Sequence, residues 1–392
     1  MLKIGVTVIG IVLSMAQAVD ARDGLLPNLL RPSTDENDDW RNRVFLTGQP
    51  LTFYGQIGQA FLRYNDGDVA RSYAPVDNSN ASTRIGFLYD FRSIGQISAV
   101  GRFEAGITPR PSSGVNLKFP DGNDFAFDGS NLRKLEVILD LPKLGVLSLG
   151  QGSMATDGIA EIDLSGTSVT AFSDVAKPAG GQFLRRADGL LSAFRIEDVF
   201  NNFDGDNVTG RSDDGSRKLR VRFDARSVHG FKASVAAGLD ALEGGGDTFV
   251  DAALRYEREL ETLRIGAGVG YSKKGSDRIT AGSVSVVHKS SGTNLTFAAG
   301  HSDVSGRYEY IKLGVKRSLF DFGDTSISLD FYRGIDLIQS GSTSRSYGIA
   351  VAQDLQATNV QFFALLRRYK VNDGRVAFQP STAFFSGLQW SF

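Results

Sequence analysis

From Leu51 to the last residue, apolar and polar side chains alternate one by one in segment after segment. Within 81–91 the odd positions carry Ile85, Phe87, Tyr89 and Phe91, while the even ones carry Ser82, Arg84 and Gly86. The stretch 95–107 sets Ile97, Ala99, Phe103 and Ile107 against Ser98, Arg102 and Glu104. The stretch 217–224 sets Leu219, Val221 and Phe223 against Lys218, Arg220 and Arg222. A period of two belongs to a β-strand whose two faces meet different surroundings. Sixteen such strands are predicted: 51–63, 80–90, 95–107, 132–140, 145–152, 217–225, 231–239, 248–256, 261–272, 278–288, 293–301, 308–317, 325–334, 344–353, 359–369 and 383–392.

A soluble sandwich uses the same period, with its charged face in bulk water. The number of strands and the two chain ends favour a barrel in lipid. The final run, Phe384 to Phe392, alternates apolar with small or polar residues and stops on an aromatic. Such a strand closes a ring, and an even total returns both ends of the barrel to one side. The predicted fold class is therefore all-β: a 16-stranded antiparallel transmembrane β-barrel with a long infolded constriction loop. Tight connections at Leu141–Gly145, Ser227–Gly230 and Lys289–Gly292 contrast with the longer Asn65–Ser79, Pro109–Asn131 and Val371–Ala383. Tyr54, Phe61, Tyr89, Phe91, Tyr256, Tyr271, Phe331, Tyr347, Tyr369 and Trp390 stand near strand ends, as interfacial girdles require. The run Gly266-Ala267-Gly268-Val269-Gly270 would leave room inside the ring.

At the N-terminus, Lys3, the apolar run Ile4–Leu13 and Ala16-Gln17-Ala18 make a secretory signal over 1–18, since ten apolar residues are too few to span a bilayer as a helix. Residues 19–50 show no period and are read as a periplasmic arm before the barrel at 51–392. Cysteine is absent, so no disulfide holds this exported chain. Its 44 acidic and 43 basic residues nearly balance, which argues against nucleic acid as a partner. Mean hydropathy is −0.13, unsuited to a helical membrane bundle and suited to strands that show lipid only alternate residues.

The longest break in the pattern runs from Ser153 to about Ser216, too long for a routine hairpin connection. Its first half carries Ile159, Ile162, Leu164, Val169 and Phe172 together with the acids Asp157, Glu161 and Asp163. Folded into the barrel, that half would narrow it and turn its acids toward the inward bases Arg84, Arg102 and Lys134. Arg220 and Arg222, with Arg185 and Arg186, lie further round. Rows of opposite charge across a narrow wet passage set up a transverse field that sorts solutes by charge and dipole. The same charges also fit a solvated external loop and a polar sheet face.

With those residues in view, the chain resembles the general porins of Gram-negative bacteria, most closely the α-proteobacterial type. The resemblance rests on Leu51–Ile57 as an opening strand, Asn78–Phe87 as a second-strand motif, Leu144–Gly152 as the strand before a constriction loop, and the aromatic end. It implies an outer-membrane, water-filled, usually homotrimeric barrel for passive diffusion of small hydrophilic solutes and ions, with no cofactor. By the resemblance Arg84 and Arg102 belong to a basic wall and Asp157, Glu161 and Asp163 to the acidic side. Strand alternation places Lys134 and Glu136 inward and Arg133 outward. Small outward residues Ala81, Thr83, Ala99 and Ala105 would suit a subunit contact.

Other functions compete. Catalysis has little support, because His229, His288 and His301 form no constellation with a nucleophile and no metal-site spacing. A substrate-selective, sugar-type channel is the stronger rival, since Phe249, Tyr332, Phe363 and Phe385 fall on inward positions where rings stack on sugars. A structural or adhesive barrel plugged by the arm or by 153–216 is the third.

Overall fold

The computed structural model describes residues 50–122, 131–204, 217–242 and 248–392. The expected signal peptide and, Pro50 apart, the N-terminal arm lie outside the described residues. The first strands are β1 (Leu51–Asn65), β2 (Ala70–Asp77), β3 (Arg84–Ile94), β4 (Ile97–Gly106), β5 (Leu132–Leu141) and β6 (Gly145–Ser153). Two short strands, β7 (Phe183–Arg185) and β8 (Leu191–Arg195), and a single-turn α1 (Ile196–Val199) lie within the long insertion. The ring resumes with β9 (Arg217–Ala225), β10 (Phe231–Leu239), β11 (Thr248–Glu259), β12 (Leu263–Lys274), β13 (Asp277–His288) and β14 (Thr293–Ser302). It ends with β15 (Gly306–Phe320), β16 (Gly323–Ile335), β17 (Thr343–Leu355), β18 (Val360–Asn372) and β19 (Ser381–Ser391).

From β3 on, each strand of the ring pairs antiparallel with the next, and β6 pairs with β9 across the insertion. β1 closes the ring on β19, from Gln56 opposite Ser391 to Asn65 opposite Thr382. On its other edge β1 meets β2 with its second half and β3 with its first. β2 and β3 are thus one strand broken at 78–83, and the barrel has sixteen strands, as the alternation predicts. Closure leaves no unpaired edge, which a hydrocarbon surround would penalise. The C-terminus completes it: Phe392 N donates to Gly55 O at 3.0 Å and Gly55 N to Phe392 O at 2.9 Å. The Phe392 ring lies 2.6 Å from where a Cβ on Gly55 would stand, so only glycine admits the terminal aromatic.

Side chains are distributed inside out. Arg222, Arg367 and Lys312 are among the largest fully buried groups, whereas Leu135, Val221, Leu313 and Leu329 are each more than half exposed. An apolar surface of that extent is unfavourable in water and suits lipid. Arg102, Lys218, Arg220 and Arg222 turn inward and Leu219 and Val221 outward, as expected.

Some expectations are corrected. The connection expected at Asn65–Ser79 is mostly strand: β2 begins at Ala70, its alternation masked by Arg71, Ser72 and Pro75. The break that follows is a built inward excursion, with Thr83 N on the Asp77 carboxylate at 3.2 Å and Asn78 N on Gly58 O at 3.1 Å. Ala81 and Thr83 belong to this excursion rather than the outer face: Ala81 packs on the interior cluster, and Thr83 Oγ1 accepts from Gly58 N. Arg133 is inward because register shifts between Glu104 and Ala105, a bulge that returns it to the lumen. Among the girdle candidates Tyr54 and Tyr369 are buried inward, donating to Glu104 and to Val175 O. The connections at 275–276 and 303–305, on the side expected to carry long loops, are tight turns.

Candidate functional site

The insertion enters the barrel, and its second half does so as well as its first: nearly all of 154–203 is buried or half-buried. Residues 205–216 lie outside the described residues. A strip of inward residues on β11–β16 is shaped to receive the first half. The Asp251 carboxylate accepts from Ala155 N at 3.1 Å, Thr156 N at 2.8 Å and Thr156 Oγ1 at 2.6 Å. Arg255 donates to Ala155 O at 2.9 Å and Asp157 O at 2.5 Å. On β12 the inward glycines form a trough: a Cβ on Gly270 would stand 2.7 Å from Thr156, on Gly268 2.5 Å from Ile159, and on Gly266 3.0 Å from Ile162. The glycine run therefore seats the loop instead of widening the lumen. Ser283 and Ser285 each accept a loop N–H at 3.0 Å, from Ile162 and Leu164.

The second half is pinned to the remaining wall. Tyr332 Oη donates to Asn201 O at 2.5 Å and Ser344 Oγ to Val199 O at 2.5 Å. Arg185 pairs with Asp66 at 2.7 Å, beside the β1–β2 turn. Phe200 packs on Tyr332 and Tyr369, and Phe203 on Tyr308. The inward aromatics that suggested sugar stacking are covered. Phe249, Tyr332, Phe363 and Phe385 are at most 4% exposed, and Tyr332 serves as a loop anchor. These four rings offer no free face to a solute.

The expected bases assemble on the wall from β3 to β9. Arg102 and Arg220 converge on the buried Glu136, Arg102 through Nε at 2.6 Å. Arg220 also donates through Nε to Ser153 O at 3.0 Å, at the root of the insertion. Arg222 binds Asp224 at 2.7 Å and Met154 O at 2.6 Å. Arg133 reaches Glu104 at 2.5 Å and Arg84 approaches the same carboxylate at 3.9 Å. Lys134 is buried opposite Glu104 in register. Carboxylates are outnumbered here, so the patch remains cationic while its guanidinium groups are held rigidly.

The expected acids divide. Asp163 is corrected: its side chain is 2% exposed and takes Lys312 Nζ at 2.6 Å, so it ties the loop to β15. Lys312 also donates to Ala171 O at 2.6 Å. Asp157 and Glu161 stay half-buried. Glu161 accepts from Asn202 Nδ2 at 2.8 Å and belongs to a group with Asp157, Asp174 and Asp204, beside Lys177. Burial, then the neighbouring Asp174, pushes the Glu161 carboxyl up to about 8. Burial raises Asp174 despite Lys177, and burial with Glu161 raises Asp204. Sequence reasoning missed Asp174, Asp204, Asp251 and Lys312, and read Glu104 only as a polar-face position without its role as partner of Arg133. Inward parity between Ile311 and Leu313 was the one signal for Lys312.

No protein-family profile matches the chain, and no curated protein does. Solved structures do. The anion-selective porin of Comamonas acidovorans aligns over 87% of this chain and 99% of its own, at 15% identity and TM-score 0.57. OmpF of Salmonella typhi, in complex with daunomycin, aligns over 87% and 97% at 12% identity and TM-score 0.53. The trimer form of OmpT from Vibrio cholerae aligns over 87% and 99% at 12% identity and TM-score 0.52. The fold is that of the Gram-negative outer-membrane porins.

Proposed function

We propose that this chain is a channel in the outer membrane of a Gram-negative bacterium, through which small hydrophilic solutes and ions diffuse passively. The carrying observation is the inverted barrel: apolar side chains outside, fixed charges inside, and a loop seated along the inner wall. Its passage is faced by half-buried Arg84 on the wall and by Asp157 and Glu161 on the loop, while Arg102, Arg133, Lys134, Arg220 and Arg222, each at most 5% exposed, stand behind that surface as buried charge. Held rigidly on the wall, the cations set a field that orients water and ions without closing on them. Swelling of liposomes that contain the full-length protein tests the reading. Uptake should fall smoothly as neutral solutes grow larger, with no competition between sugars. Saturable uptake of one sugar class would favour a selective channel, and no swelling from inserted protein would support a plugged barrel.

The assembly is a homotrimer in this reading, supported by the fold shared with a porin solved as a trimer and by the exposed apolar face around Phe53, Phe87 and Leu135. Mass measured in mild detergent should be three times that of one chain. A particle that stays monomeric in every detergent contradicts it.

A further inference from the structure

On the outer face of β16, β17 and β18, at the end where the insertion also enters, cations stand side by side. Arg333 lies opposite Arg345, and Arg345 opposite Lys370. Arg368 follows one outward position along β18, across from Tyr347. All four are exposed, and among the described residues none makes an ion pair. Glu309, in register with Arg333 on β15, makes none either. Like charges directly opposite on one face repel and weaken a sheet. The inner face of the same strands shows the contrast, for there Arg367 is matched by Asp330 at 2.7 Å and 2.8 Å.

Next to the cations come rings and then hydrocarbon. Phe331 and Tyr347 pack with centroids 5.2 Å apart, and the Lys370 ammonium lies 6.0 Å from the Tyr347 ring. Beyond them Leu329, Ile349 and Leu366 are exposed by 57%, 48% and 50%. The row of charge thus borders the apolar belt, with an aromatic step between, where a bilayer places its headgroups.

We propose that Arg333, Arg345, Arg368 and Lys370 bind the anionic phosphate of a membrane lipid in the leaflet at that end, whose acyl chains lie along the apolar strip. Guanidinium forks match phosphate oxygens in pairs, and an anion shared between strands removes the repulsion. A soluble anion has no use for the apolar strip, whereas a lipid occupies both parts. The proposal rests on the membrane reading of the barrel.

The test compares the full-length protein with a variant carrying Arg333→Gln, Arg345→Gln and Lys370→Gln. Both should insert as closed barrels into phosphatidylcholine vesicles, and failure of both would overturn the membrane reading itself. In neutral detergent, diphosphoryl lipid A should bind the wild type and bind the variant at least roughly tenfold more weakly, since several charge-assisted bonds are lost. The conservative Arg345→Lys chain should fall between them, which separates lost contacts from lost folding. Lipid A stripped of phosphate should not bind, and inorganic phosphate should not displace the intact lipid. Equal binding by wild type and variant, or by stripped and intact lipid, overturns the proposal and leaves the membrane reading standing. So does displacement by inorganic phosphate, or by a second copy of this chain.

Discussion

A chain carrying both Asp251→Ala and Gly268→Val should pass larger, unsteady current steps while its barrel closes as before. Asp251 holds Ala155 and Thr156 through three hydrogen bonds, and Gly268 gives Ile159 its seat. Bonds to a charged acceptor are worth about 1.5–3 kcal/mol each, although lumen water recovers part of that. Overpacking at the glycine adds about 1–3 kcal/mol. The two changes act on one stretch of loop and will not add fully. A net loss of about 3 kcal/mol still multiplies the released population more than a hundredfold. The strand ladder is untouched, so electrophoretic mobility of the unheated, folded protein should not change. If steps keep their size and steadiness, the 154–204 segment does not set the width of the passage.

The barrel was legible because each strand separates lipid from water, so parity alone placed Arg84, Arg102, Lys134, Arg220 and Arg222 inward. Parity fails where the ladder does. One extra residue at the bulge reverses Arg133, and the excursion at 78–83 carries Ala81 and Thr83 off the outer face. β2 stayed hidden because its exposed positions hold no large lipid-facing residue, only Ala70, Arg71, Ser72, Ala74 and Pro75, while Tyr73 and Val76 turn inward. The acids were harder, because their partners lie far off in sequence. Asp163 meets Lys312 across a separation of 149 positions, and no local pattern announces that pair. The glycines of β12 were visible as small inward residues, yet their role depends on the shape of a loop a hundred residues earlier.

The largest electrostatic effect should come from the two sides of the passage. Replacing Arg84 and Arg102 with glutamine should move ion preference toward cations, and Asp157→Asn should move it toward anions. One unit charge at roughly 6 Å in water is worth about 0.7 kcal/mol, or about threefold in local ion concentration. Glu161 is held neutral below its raised value of about 8 and becomes an anion above it, so raising pH through that value should add cation preference. Glu161→Gln should remove its own share of this step and leave that of the neighbouring Asp174 and Asp204.

The zero-current potential across a planar bilayer under a salt gradient measures all of this directly. A charged, loop-narrowed water channel predicts opposite displacements for the Arg84/Arg102 and Asp157 variants, both fading near 1 M salt, where screening extends over only about 3 Å. One potential shared by every variant, or inserted barrels that carry no current, would contradict it.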